Sequence, residues 1–121
     1  MISWAQLPAL VARVREILAA RPELRHACYS VPGAHPLHGH CYVACEALWH
    51  ACGRSPDLRP TVLRMPDGGT HWYLRTPWPY PIDPTADQFS RAVDYAAGRG
   101  CGFLTKKPSK RAQIVLDLLA L

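Results

Sequence analysis

Seven of the chain's twelve prolines fall between residues 54 and 84. Proline fixes φ, lacks an N–H and collides with the preceding helical turn, so a long helix cannot cross that stretch. A loop-rich middle with short strands is what remains, and helices are left to its two sides. On the first side, Leu7, Leu10, Val11, Val14, Ile17 and Leu18 recur at helical spacing and predict a helix over 7–20. Pro8 fits its first turn, and Arg21-Pro22 ends it. Ser3 and Gln6 match a capping box that would start the helix earlier. Residues 26–40 read as a loop. A second helix follows over 41–52, with an apolar stripe of Val43, Ala44, Ala47, Leu48 and Ala51 and with Gly53 at the position after the cap. Within the proline-rich middle, 61–65 reads as a strand, Pro66-Asp67-Gly68-Gly69 as a turn and 70–75 as a second strand. A third, short strand is expected near Ile82-Asp83. A last helix over 109–121 carries Ile114, Val115, Leu118 and Leu119 towards the core. This is an α+β arrangement in one domain, 1–121, with a helix packed on a small antiparallel sheet.

The chain is 49% hydrophobic and 19% charged, a globular balance. No apolar run reaches the ~18–20 residues that span a bilayer, so no membrane partner is expected. Met1-Ile2-Ser3-Trp4 lacks the basic and apolar regions of a secretory signal. The cysteines, at 28, 41, 45, 52 and 101, are odd in number, and three fall on one predicted helix. Reduced thiols in a cytoplasm fit this better than a disulfide framework. The net charge is +5, with basic residues gathered in Lys106-Lys107-Pro108-Ser109-Lys110-Arg111. That cluster could attract nucleic acid, but no aromatic stacking platform accompanies it, and a solvated helix start explains it more simply. No phosphate-binding or nucleotide fingerprint is present, and no cofactor is expected.

The chemistry gathers around Cys41, in His38-Gly39-His40-Cys41-Tyr42, where a loop runs into the second helix. His71 follows on a predicted strand and Asp83 on the next. A helix start and an imidazolium both stabilise a thiolate. The same imidazole can protonate a leaving amine and then act as base, and a carboxylate on its far nitrogen fixes its tautomer. Cys41, His71 and Asp83 are therefore the candidate catalytic set, with Asp87 competing for the third role. The Cys41 amide is a natural oxyanion donor. His40, Gln88 and His35 are candidate second donors, and Trp72 a candidate substrate contact. Taken singly, His71 reads as a satisfied sheet histidine and Asp83 as a turn cap; their order is what favours catalysis. Cys28, Cys45, Cys52 and Cys101 read as small core hydrophobes.

The segments Gly39-His40-Cys41, His71-Trp72-Tyr73 and Asp83-Pro84-Thr85-Ala86-Asp87-Gln88-Phe89 resemble those of the YunG-like family of small bacterial and phage proteins, over about residues 30–90. Gly98-Arg99-Gly100-Cys101-Gly102-Phe103-Leu104-Thr105-Lys106 also looks like phage-encoded relatives. The resemblance implies a papain-like fold, in the grouping with NlpC/P60 and transglutaminase-like proteins. It points to Cys41, His71 and Asp83, in a bacterial or phage-infected cytoplasm, and names no substrate. Related sequences can carry Gln before the cysteine where this chain has His40, which leaves a role for that side chain open.

Three functions follow as alternatives. One is a thiol enzyme acting on an amide, isopeptide or acyl bond of a peptide, protein or small molecule. Another is a zinc site built from His35, His38, His40, Cys41 and Cys45, although their spacing is not a usual paired form. The third is a non-catalytic module that binds a host protein or nucleic acid. Oligomeric state is not legible.

Overall fold

The fold is known from a computed structural model that describes residues 4–25, 35–66, 68–89 and 91–120. The apolar repeat of the first segment forms α1 (Leu7–Ala19), which buries Leu7, Val14, Ile17 and Leu18. Pro8 lies in the first turn, where its missing N–H costs nothing. A 3-10 turn, Trp4–Gln6, precedes α1, and Gln6 occupies the cap position without a side-chain cap bond. Ser3, the other half of the expected capping box, lies outside the described residues. Pro22 ends the helix and opens a short 3-10 turn that buries Leu24.

The second helix, α2 (Cys41–Ala51), begins at the cysteine. Its end is a Schellman closure, with Gly53 N–H donating to the His50 carbonyl (3.0 Å) and Arg54 N–H to that of Trp49 (2.8 Å). Gly53 has φ +71°, which a side chain would strain. Six consecutive residues, Val43 to Leu48, are buried. The helix is covered nearly all round because α1, the second strand and the C-terminal helix all pack on it.

The sheet has three antiparallel strands, β1 (Arg59–Arg64), β2 (Thr70–Arg75) and β3 (Arg99–Gly100), in the order β2-β1-β3. β1 starts two residues before its expected position. The β1–β2 register places Leu63 opposite His71 and Thr61 opposite Tyr73. The turn between them closes through Met65 N–H to the Gly69 carbonyl (2.8 Å), with Gly68 at φ +91°; Asp67 lies outside the described residues. The expected third strand at Ile82-Asp83 is corrected to a single bridge, Leu74 with Ile82. Prolines on both sides leave too few donors for a ladder. The third strand is Arg99–Gly100 instead, paired to β1.

The last helix, α3 (Lys110–Leu119), is capped by Ser109, whose Oγ accepts from Ala112 N–H (3.2 Å). Its core stripe runs through Ala112 and Val115, both fully buried, with Leu118 and Leu119 packed at the margin. Ile114 was expected in the core and is 39% exposed. It lies about 100° around the helix from Val115, off that stripe. Among the described residues no helix is long and apolar enough to cross a membrane.

Candidate functional site

The site is assembled where the start of α2 meets the edge strand β2. Gly39, at φ +80°, turns the chain into the helix, and His40 occupies the N-cap. The first i→i−4 bond is Ala44 N–H to the His40 carbonyl (2.9 Å). The amides of Cys41, Tyr42 and Val43 precede it and have no acceptor within the helix. Cys41 is the first helical residue and is half-buried.

Side chains alternate along β2, so His71 and Tyr73 share one face and Trp72 and Leu74 the other. His71 is wholly buried. Its Nε2 lies 2.7 Å from Asp83 Oδ2. With Nε2 taken, Nδ1 is the nitrogen left for Cys41; it is buried and has no hydrogen-bond partner among the described residues. Burial alone would lower the proton affinity of this imidazole. The hydrogen bonds and charges of Asp83 and Cys41 outweigh burial, and its pKa is pushed up to about 9. Phe89 meets the His71 ring edge-on, with centroids 4.7 Å apart.

Asp83 is held from several directions. The double bond between Leu74 and Ile82 (2.9 and 2.8 Å) fixes the backbone just before it. Its Oδ1 accepts from Thr85 N–H (3.3 Å), an Asx turn, and Gln88 Nε2 donates to Thr85 Oγ1 (2.9 Å). The Asp-x-Thr-x-x-Gln pattern is therefore a local network that orients the carboxylate. Arg15 of α1 reinforces it, donating to the Pro84 carbonyl (2.6 Å) and gripping Asp87 with both Nη atoms (2.9 and 2.6 Å). That contact commits Asp87 to Arg15 and removes it as the partner of His71.

Tyr95 also donates to Asp83 Oδ2 (2.7 Å), and Tyr73 Oη donates to the Tyr95 carbonyl (2.5 Å). Burial and the neighbouring carboxylate push the Tyr95 phenol up, so it stays a donor. A Cβ on Gly98 would overlap Tyr73 Oη, which makes Gly98 part of the same support. Neither Tyr95 nor Gly98 is foreseen by the sequence reading. Tyr73 had a usable signal, since it follows His71 by two residues on one strand face.

The remaining candidates separate clearly. Trp72 lines the same cleft as Cys41 and meets Tyr42 edge-on at 5.0 Å. Gln88 is occupied with Thr85 and is absent from the cleft lining. His35 accepts from Leu37 N–H through Nδ1 (3.1 Å), and its Nε2 lies 3.8 Å from Asp87. His40 is fully buried, and neither ring nitrogen has a hydrogen-bond partner among the described residues. Burial, with Arg25 and Arg111 adding to it, lowers its pKa to about 4 and keeps the ring neutral.

No group of three or more metal-ligating side chains is assembled among the described residues, so His35, His38, His40, Cys41 and Cys45 do not form the zinc cluster considered above. His40 and Cys45 are turned into the core, away from any shared ion. The four described cysteines are free. Burial pushes the Cys45 and Cys52 thiols up. Cys101 was expected in the core and is instead half-exposed after β3, because its segment runs along the sheet edge. Cys28 lies outside the described residues. Comparison with protein-family models, curated proteins and solved structures gives no match in any of the three.

Proposed function

We propose that this chain is a thiol-dependent enzyme with a papain-like, NlpC/P60-like core, acting on an amide, isopeptide or related acyl bond. The observation that carries the reading is the buried His71 imidazole, bound to Asp83 on Nε2 and left with Nδ1 for Cys41 at a helix start. The order of helix-start Cys, strand His and following Asp supports the papain-like assignment.

In this mechanism the Cys41 thiolate attacks the carbonyl carbon, and the C=O pair moves to oxygen. The free amides at the start of α2 receive that negative charge. His71, as imidazolium, gives its Nδ1 proton to the departing amine as the C–N bond breaks, leaving a thioester on Cys41. Water or an acceptor amine then loses a proton to His71 and attacks the thioester. Breakage of the C–S bond returns the thiolate and the imidazolium. Asp83 fixes the ring throughout. Hydrolysis, deamidation and transfer differ only in the groups that leave and enter.

The test is alkylation of every cysteine against pH, read by mass spectrometry in native protein and in His71→Ala. The reading expects Cys41 alone to react fast below pH 7 and to lose that advantage in the variant. It further expects Cys41→Ala and His71→Ala each to abolish turnover of any amide or acyl substrate found by screening. A Cys41 that reacts no faster than Cys101, or turnover that survives both substitutions, overturns it.

A further inference from the structure

Cys41 lines a cleft of ≈ 570 Å³ that has an uneven lining and lies on the Trp72 face of β2. Its walls are apolar and aromatic, from Tyr42, Val43, Trp72 and Leu104, while Lys110 and Arg111 at the start of α3 supply positive charge. Both cations are exposed, and neither forms an ion pair with a carboxylate among the described residues. Glu46, which binds the cap residue of this helix, is fully buried and already committed. It accepts from Ser109 N–H (2.8 Å) and from Ser109 Oγ–H (2.6 Å). The aromatic wall is itself held in place: Phe103 stacks on Trp72 at 5.5 Å, and Tyr42 Oη accepts from Leu104 N–H (2.8 Å).

We infer that this cleft selects an amide or acyl substrate with an apolar or aromatic body and a carboxylate, the carboxylate being received by Lys110 and Arg111. The inference rests on Cys41 being the nucleophile and adds the substrate class. An apolar wall accommodates the body of such a molecule through area removed from water. Two unpaired cations at the rim favour a negative group and repel a positive one. A single charge is the better match than a phosphate dianion, because Glu46 already takes the Ser109 N–H and hydroxyl. The two side-chain cations remain to receive the carboxylate.

Alkylation with a charged and a neutral reagent of the same reach tests this. Iodoacetate and iodoacetamide both form an S–C bond at Cys41 with loss of iodide, and they differ by one carboxylate. The readout is the iodoacetate-to-iodoacetamide rate ratio at Cys41 by mass spectrometry at low salt, relative to the same cysteine in urea-unfolded protein. In Lys110→Gln/Arg111→Gln the ratio is expected to fall about three- to tenfold, and high salt to shrink the difference. Both positions are exposed on α3 and glutamine is a comparable helix former, so the fold is retained. Lys106→Gln/Lys107→Gln removes two exposed charges outside the cleft lining and is expected to change the ratio by less than half as much. Rapid iodoacetamide reaction with an unchanged ratio in Lys110→Gln/Arg111→Gln, or an equal fall in the outer pair, overturns the carboxylate inference and leaves the nucleophile standing. Slow reaction of Cys41 with both reagents overturns both.

Discussion

Replacing Asp83 by Asn isolates the charge that governs His71. The amide oxygen of Asn can still accept from Nε2–H and from Tyr95, so shape and hydrogen bonding are largely kept while the negative charge goes. In the native protein His71 is pushed up to about 9, against 6.5 for a free imidazole. At pH 7.5 that favours the cation by roughly 30-fold. Burial opposes the cation and is the largest single influence on this ring, but Asp83 and Cys41 together outweigh it. Without the carboxylate, burial is opposed by Cys41 alone, and the titration is expected near or below 6.5, a fall of about two units or more. The His71 ring resonances, followed by NMR between pH 5 and 10, give the shift directly. Iodoacetamide rates at Cys41 are expected to lose their plateau below pH 7 in the same variant. A His71 titration within about half a unit of the native one would refute the claim that Asp83 holds the imidazolium.

Stability should fall on both sides of neutrality. His71 has its folded pKa raised, so its contribution is complete below about 6.5 and is lost as pH rises towards 9. His40 is lowered to about 4, so its contribution is complete above about 6.5 and is lost as pH falls towards 4. Each arm is worth on the order of 3 kcal/mol, and urea midpoints at pH 4.5, 6.5 and 9.5 measure both; His40→Gln should flatten the acid arm and His71→Gln the alkaline one. Ser109→Ala removes the α3 cap and one of the two donors to the buried Glu46 carboxylate. A loss of about 1–3 kcal/mol by urea denaturation is expected. Gly98→Ala forces Tyr73 Oη off the Tyr95 carbonyl and slackens the hold of Tyr95 on Asp83. It should lower the Cys41 alkylation rate at pH 7 while Gly102→Ala, at an exposed position where an added Cβ meets nothing within 4 Å, does not; equal rates in both would disconnect Tyr73 from the site.

The part of this site that could be read from sequence is the part carried by local rules. The start of α2 follows from a glycine-containing loop running into an apolar 3.6-residue repeat, and β2 follows from a strong turn signal before an aromatic-rich run. Asp83 follows from its place twelve residues after His71 on an expected neighbouring strand; that strand is only the Leu74–Ile82 bridge, and the local bonds of Thr85 and Gln88 hold the carboxylate loop instead. What escaped notice arrives from far along the chain. Tyr95 meets Asp83 from twelve residues on, Arg15 of α1 clamps the Asp83 loop from 72 positions before Asp87, and Lys110 reaches the Cys41 cleft from the last helix. No periodicity or turn rule encodes such meetings, because they depend on how α1 and α3 pack against α2. The same limit explains Ile114: a four-member apolar pattern in a short helix leaves its rotation open by about one residue, and packing of the small Ala112 against the core decides it.

The supports around His71 divide the work in a way that bears on turnover. Asp83 is fixed by its own turn, by the Leu74–Ile82 bridge, by Tyr95 and, through Pro84 and Asp87, by Arg15. Cys41 is placed by being the first residue of α2, and among the described residues no hydrogen bond closes on Nδ1. The imidazole is thus anchored firmly at its far nitrogen and loosely at the reacting one. That asymmetry suits a group that must exchange a proton with thiol, amine and water in succession, since a closed Cys41–Nδ1 bond would have to break at every step. It also predicts unequal damage. Loosening the rigid side by Arg15→Met should reduce the fraction of molecules with His71 correctly aimed, lowering the Cys41 alkylation rate at pH 7 several-fold while costing only about 1 kcal/mol of stability, the usual scale for a half-exposed pair. A rate that falls no further than the unfolded population requires would show that the Asp83 loop keeps its place without α1.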